Sequence, residues 1–243
     1  MTGPGMAGLY RVIEGTWPPA SRQRVGPWTI REGRGGGGRV SSATAEAAVT
    51  DNDIPAAEAA MRSLGQTPLF MIREGEDRLD TLLAARGYGV KDAVNAYSAP
   101  VSAFPAPPPI TCFNVWPPLE IMKEIWAEDG IGPSRLAIME RAPEPKTAFL
   151  GRTDNQPAGA LFVGCAEDLA MVHAVHVLDR FRRRGLAAQM MGAAARWAGW
   201  HGAEHILLMT TQVNTAANGF YRALGMSEIG HYHYRIHPDP ESA

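Results

Sequence analysis

Four arginines fall within five positions of the segment Val177-Leu178-Asp179-Arg180-Phe181-Arg182-Arg183-Arg184-Gly185-Leu186-Ala187-Ala188. An apolar, strand-like run precedes them and a helical apolar spacing follows, so the arginines and Gly185 occupy a strand-to-helix turn. The first N–H groups of a helix have no internal acceptor and point outward, and the helix dipole adds partial positive charge there. A turn of this kind can hold a phosphate. Gly185 lets the backbone approach an anion closely, and the methyl side chain of Ala187 keeps the helix surface low. Arg182, Arg183 and Arg184 offer bidentate pairing to outlying phosphates. The same composition also describes a solvated turn or a nucleic-acid patch, and the pattern alone does not choose between them.

The elements that must position this turn follow from apolar periodicity and from glycine and proline stops. The spacing predicts strands at Trp28–Arg31 and Arg39–Ala45, separated by a loop at Gly35–Gly38. A helix from Asp53 to Ser63, a strand Pro68–Ile72, a helix Asp77–Arg86 and a strand Val90–Ser98 follow. Seven prolines between Pro100 and Pro118 rule out a helix or a central strand and mark a boundary. Beyond it, Leu119–Glu128 and part of Pro133–Glu140 read as helices, and Thr147–Gly151, Ala158–Gly164 and Leu169–Leu178 as strands. Gly185–Trp200 is a helix with Leu186, Met190, Ala194 and Trp197 on one face. A strand Ile206–Thr210, a helix Thr215–Leu224 and a strand Glu228–Ile236 complete the chain. The order strand, helix, stopping glycine occurs twice, at Leu69–Gly87 and Ile206–Gly225, which points to a duplicated unit.

Arg182-x-x-Gly185-x-Ala187, after a strand and before a helix, resembles the Gln/Arg-x-x-Gly-x-Gly/Ala signature of the GNAT superfamily of N-acetyltransferases. Val177 and Phe181 fall where that family shows a valine and an aromatic residue. Asn214-x-x-Ala217-x-x-Phe220-Tyr221-x-x-Leu224-Gly225-Met226 resembles its second signature. The resemblance covers roughly Trp116 to Ile236. It implies the acyl-CoA N-acyltransferase fold: α/β, with a mixed, mostly antiparallel central sheet flanked by helices. The N-terminal half reads as a degenerate copy, giving two GNAT-like halves in tandem. The expected division is a degenerate domain at 1–99, a proline-rich linker at 100–118 and an acetyl-CoA-binding domain at 119–243.

The resemblance also implies a set of roles. The pyrophosphate of acetyl-CoA would lie on Arg182, Arg183, Arg184, Gly185, Leu186, Ala187 and Ala188. The strand ending at Val177 would splay from Ile206–Thr210, and the backbone of Val175 and Val177 would pair with pantetheine amides in the gap. An amine would attack the thioester directly, with Tyr221 giving the leaving thiolate its proton; as an aromatic cap on the core, Tyr221 would have no such role. Asn214 would orient the cofactor or order the loop, with a plain helix cap as its other reading, and Asn218 is the weaker cofactor candidate, a solvent contact in its other reading. Met171 stands where many members carry a glutamate base. His173, two residues on and on the same strand face, is the replacement base, and a satisfied core histidine is the alternative. His176 has the opposite parity and should face away unless a bulge intervenes. Asp179 and Met226 replace the family's proline and phenylalanine.

Composition sets outer bounds. The 243 residues are 45% hydrophobic with a formal net charge of -2, so there is no global basic field for nucleic acid or an anionic membrane. Two cysteines, Cys112 and Cys165, fit a reducing cytoplasm and no disulfide framework. No stretch approaches the roughly 20 apolar residues of a membrane span. His231, His233 and His237 alternate along the last strand without an accompanying carboxylate or cysteine cluster, so no metal is expected. The expected partner is a small-molecule or peptide amine; a non-catalytic acyl-CoA sensor, a protein N-terminal or ribosomal-protein acetyltransferase, and homodimer pairing stay open.

Overall fold

The computed structural model describes residues 3–237. In chain order the elements are α1 (Met6–Thr16), β1 (Ser21–Val25), β2 (Trp28–Glu32), α2 (Gly38–Ser41), β3 (Thr44–Ala45), α3 (Ile54–Ser63), β4 (Leu69–Ile72), α4 (Asp77–Ala85) and β5 (Gly89–Pro100). They continue with β6 (Cys112–Val115), α5 (Glu120–Ala127), α6 (Pro133–Arg141), β7 (Lys146–Thr153), β8 (Gln156–Ala166), β9 (Leu169–Val177), α7 (Leu186–Trp200), β10 (His205–Thr211), α8 (Thr215–Ala223) and β11 (Ser227–Ile236).

Two compact units form. The first comprises residues 3–18, 96–210 and 215–229, the second 19–95, 211–214 and 230–237. They divide the chain differently from the single cut at 100–118 expected above, for a reason visible in α1. Its residues Leu9, Val12, Ile13 and Thr16 are buried on one face, which packs on β8 and β9. The proline-rich stretch belongs to the first unit as well. It contains β6, an edge strand paired antiparallel with β7, and the Pro105 carbonyl lies against Gly192 of α7.

In the first unit the strand order is β5-β10-β9-β8-β7-β6. The β6-β7, β7-β8 and β8-β9 pairs are antiparallel and the β9-β10 pair is parallel, so the sheet is mixed and mostly antiparallel. Phe162 turns toward Trp17 and His173, on the face covered by α1 and α5, while Gly159 lies under Met190 of α7 on the other face. The α7 stripe read from the sequence is buried as expected, with Leu186, Met190, Ala194 and Trp197 all under a tenth exposed.

In the second unit β1, β2 and β3 form a small antiparallel sheet, and β4 pairs antiparallel with β11, Ile72 opposite His233 and Leu69 opposite Ile236. Its core gathers Trp28, Ile30, Ile54, Met61, Phe70, Leu83 and Tyr88. Arg39–Ala45 is not one strand, as the spacing predicts, but the turn of α2 followed by β3. Gln66 overrides the local preference: its amide oxygen accepts from the Gly33 N–H (2.6 Å), and its amide nitrogen donates to the carbonyls of Arg31 (2.8 Å) and Ser41 (3.3 Å), folding the chain back there.

Each strand–helix segment thus lies beside the strand that follows the other one: β4 beside β11, β10 beside β5.

Candidate active site

β9 and β10 are joined through only three residue pairs, Leu169 with His205, Ala170 with Ile206 and Met171 with Leu207. Past Met171 the two strands no longer pair, leaving the facing edges of 172–177 and 208–210 without ladder partners on each other. The expected splay is present, and the buried Met171 marks its fork.

The β8–β9 ladder shows why the strand bends there. Phe162 pairs with His173 and Ala160 with His176, so three steps on β9 match two on β8. The extra residue is absorbed at Ala174, whose φ is 53°, and the Trp126 indole N–H donates to the Ala174 carbonyl at 2.8 Å. This bulge corrects the parity argument. His176 faces the same side as His173, the α1/α5 side.

The turn after β9 is shaped as an anion cradle. Arg183 (φ 64°) and Gly185 (φ 80°, ψ -2°) are left-handed, and Gly185 is the N-cap of α7. The Arg182 N–H donates to the Asp179 carbonyl and the Gln189 N–H to that of Gly185. Among the described residues, no acceptor takes the N–H groups of residues 183–188 between them. A Cβ placed on Gly185 would meet nothing within 4 Å, so no side chain plugs the turn. Successive outward N–H groups at a helix start, beside exposed guanidinium groups, are an arrangement that can accept an anion.

Two of the arginines are engaged locally. The Arg182 Nε donates to the Val177 carbonyl (3.0 Å) and its Nη2 lies 2.8 Å from Asp179 Oδ1. Arg184 pairs with Asp154 in the β7–β8 turn at 2.6 Å. The Val177 carbonyl is therefore already held by Arg182. Val175 and Val177 are both half-buried on the unpaired part of β9, and Arg183 and Arg184 are exposed.

Tyr221 is 8% exposed on α8, 6.0 Å from the Tyr97 ring, and desolvation pushes its hydroxyl up to about 12. It therefore stays protonated, and so stays a donor, across the neutral range. Asn218, read above as the weaker cofactor candidate or a solvent contact, is buried, and its amide oxygen accepts from the Tyr97 hydroxyl at 2.7 Å. Asn214 belongs to the second unit, where its N–H donates to the Thr211 carbonyl at 3.1 Å.

His173 is packed. Its ring stacks on Trp17 at 4.6 Å and its Nε2 lies 2.9 Å from Thr16 Oγ1. Because that hydroxyl donates its own proton to the Val12 carbonyl at 2.7 Å, Nε2 is the donor and carries the hydrogen. Sequence reasoning missed this contact because it missed α1. The signal was present in Leu9, Val12, Ile13 and Thr16, spaced for one helical face.

With this geometry in place, comparison with known proteins is specific. Residues 115–226 match the family described as Acetyltransferase (GNAT) family. This segment is a GNAT acyltransferase domain. It holds the forked strands, the cradle and Tyr221 together. The whole chain also resembles solved structures in fold. A GCN5-related N-acetyltransferase from Kribbella flavida aligns at TM-score 0.71 and 18% identity, over 100% of this chain and 98% of that one. A functionally unknown conserved protein from Staphylococcus epidermidis aligns at 0.64 and 12%, over 88% and 91%. A tandem GNAT protein from the clavulanic acid biosynthesis pathway aligns at 0.57 and 13%, over 82% and 76%. No curated protein matches the sequence. The GNAT fold thus accounts for the mixed sheet, and no helix among the described residues is long and apolar enough to cross a membrane.

Proposed function

We propose that the chain transfers acetyl from acetyl-CoA to a primary amine, carried by a small molecule or a peptide, by direct attack in a ternary complex. The observation that carries this reading is the row of unpartnered N–H groups at 183–188 beside strands that part after Met171. In it, Arg183, Arg184, Gly185, Leu186, Ala187 and Ala188 hold the diphosphate, and Arg182 releases its local contacts to join them. Val175 and Val177 pair with the pantetheine arm as a neighbouring strand would. Asn214 orders the loop before α8, and Asn218 supports Tyr97 beneath it.

Bound acetyl-CoA supplies an acyl carbon on a leaving sulfur: the amine nitrogen bonds to that carbon, the C–S bond breaks and its electron pair stays on sulfur. Tyr221 gives sulfur a proton and is restored by the one the new amide nitrogen sheds. In this reading residues 119–243 carry the cofactor-binding fold, the proline-rich stretch 100–118 leads into it and packs on it, and 1–99 descends from a degenerate copy of the same fold. The setting would be cytoplasmic.

Following CoA thiol release across a panel of amines and peptides tests the proposal. Turnover that falls in Tyr221→Phe supports it. Binding of acetyl-CoA with no turnover on any acceptor would favour a sensor, a reading that has Met171, in the usual place of a carboxylate, on its side.

A further inference from the structure

The bulge at Ala174 brings a second histidine to the α1/α5 face of the sheet, and its surroundings differ from those of His173. His176 is 6% exposed. Its Nδ1 faces Asp129 Oδ1, in the turn after α5, at 3.7 Å, while its Nε2 is buried with no hydrogen-bond partner. A carboxylate on the Nδ1 side favours the tautomer with hydrogen there and leaves the lone pair on Nε2. A buried ring nitrogen without a partner is costly in a finished core, and a bound group that fills it removes that cost. His176 also lies within 172–177, the stretch where β9 has left β10.

We propose that His176, held by Asp129, is the general base of the acyl transfer; this rests on the acetyltransferase reading above. Nε2 takes one proton from the acceptor ammonium, leaving the neutral amine with its lone pair. The proton stays on the imidazole until product leaves and then passes to solvent, so the reaction releases one proton overall. Asp129 positions the ring. The neighbouring charges leave that role to Asp129. Arg11 of α1 is paired with Glu167 at 3.2 Å, Lys123 of α5 with Glu120 at 2.6 Å, and Glu14 of α1 and Glu124 and Glu128 at the end of α5 are outside ion-pairing range of the ring. His173 shares the face with its Nε2 hydrogen committed to Thr16.

Nitrogen-15 imidazole spectra of the free protein should show His176 in the Nδ1–H tautomer, and Asp129→Asn should weaken that preference. His176→Gln should bind acetyl-CoA within twofold of wild type by calorimetry, while kcat falls about a hundredfold. That deficit should shrink as pH rises toward the acceptor's own pKa, which a packing defect would not produce. Asp129→Asn, at a site open enough to leave folding intact, should lower kcat roughly fivefold. Undiminished turnover in His176→Gln, or an Nε2–H tautomer, would overturn the base assignment and leave the acetyltransferase reading standing. Absence of turnover in the wild type on every amine would remove both.

Discussion

The two strand–helix segments, β4–α4 and β10–α8, are built alike and equipped differently. Both helices have nine residues and run into a glycine with φ 85°, Gly87 and Gly225. The residue after each glycine donates its N–H to a carbonyl five back at 3.1 Å, Tyr88 to Leu83 and Met226 to Tyr221. The polar residue seven before each glycine holds a side chain ten after the other one: Asp80 grips Arg235 at 2.6 and 2.8 Å, and Asn218 accepts from Tyr97 at 2.7 Å. Helix cap and strand anchor are thus matched. The chemistry is not, because the counterpart of Tyr221 is Leu83, a fully buried core residue, and the Arg182-x-x-Gly185-x-Ala187 pattern does not occur in the N-terminal half. The scaffold needs only the shared parts; the proposed acyl-CoA site needs the parts present once.

The sharpest way to break this comparison is at Gly185, the position without a counterpart. Gly185→Glu forces a side chain into a left-handed conformation and puts negative charge in the cradle, so acetyl-CoA affinity should fall at least about a hundredfold in a calorimetric titration. At Tyr221, Phe keeps the ring that fills the place of Leu83 and removes only the hydroxyl. It should cost roughly ten- to a hundredfold in kcat, with the KM for acetyl-CoA within about twofold, in initial-rate kinetics.

The smallest effect belongs to the shared scaffold. The Arg235 hydrogen bonds, with help from His233, hold the Asp80 carboxyl down at about 2. A depressed carboxyl stabilises the fold fully above its unfolded value of about 3.9 and loses that contribution as pH falls through about 2. Asp80→Asn should therefore lower the thermal midpoint at neutral pH, by an amount equivalent to roughly 1 to 2 kcal/mol, and the difference from wild type should shrink as pH falls from about 4 toward 2 and vanish only below it. Its acetyl-CoA affinity should be unaltered.

Much of this was legible in the sequence where local chemistry dictates local structure. The α7 stripe, the turn before it and both glycine stops follow from spacing alone. What escaped depended on distant partners. Gln66 turns Arg39–Ser41 into a helix against the preference of Val40, and Ser21–Val25 is a polar strand with no alternation to reveal it. The bulge at Ala174 has no signature of its own, yet it decides where His176 points. The departure of 3–18 into the first unit hid the Thr16 and Trp17 contacts that occupy His173.

Titrating CoA into nitrogen-15-labelled protein and following the main-chain amides tests the central claim most directly. Saturable shifts concentrated at residues 183–188 and 175–177 are expected, with Gly185 among the largest. Saturable binding that leaves those amides unmoved would contradict the account.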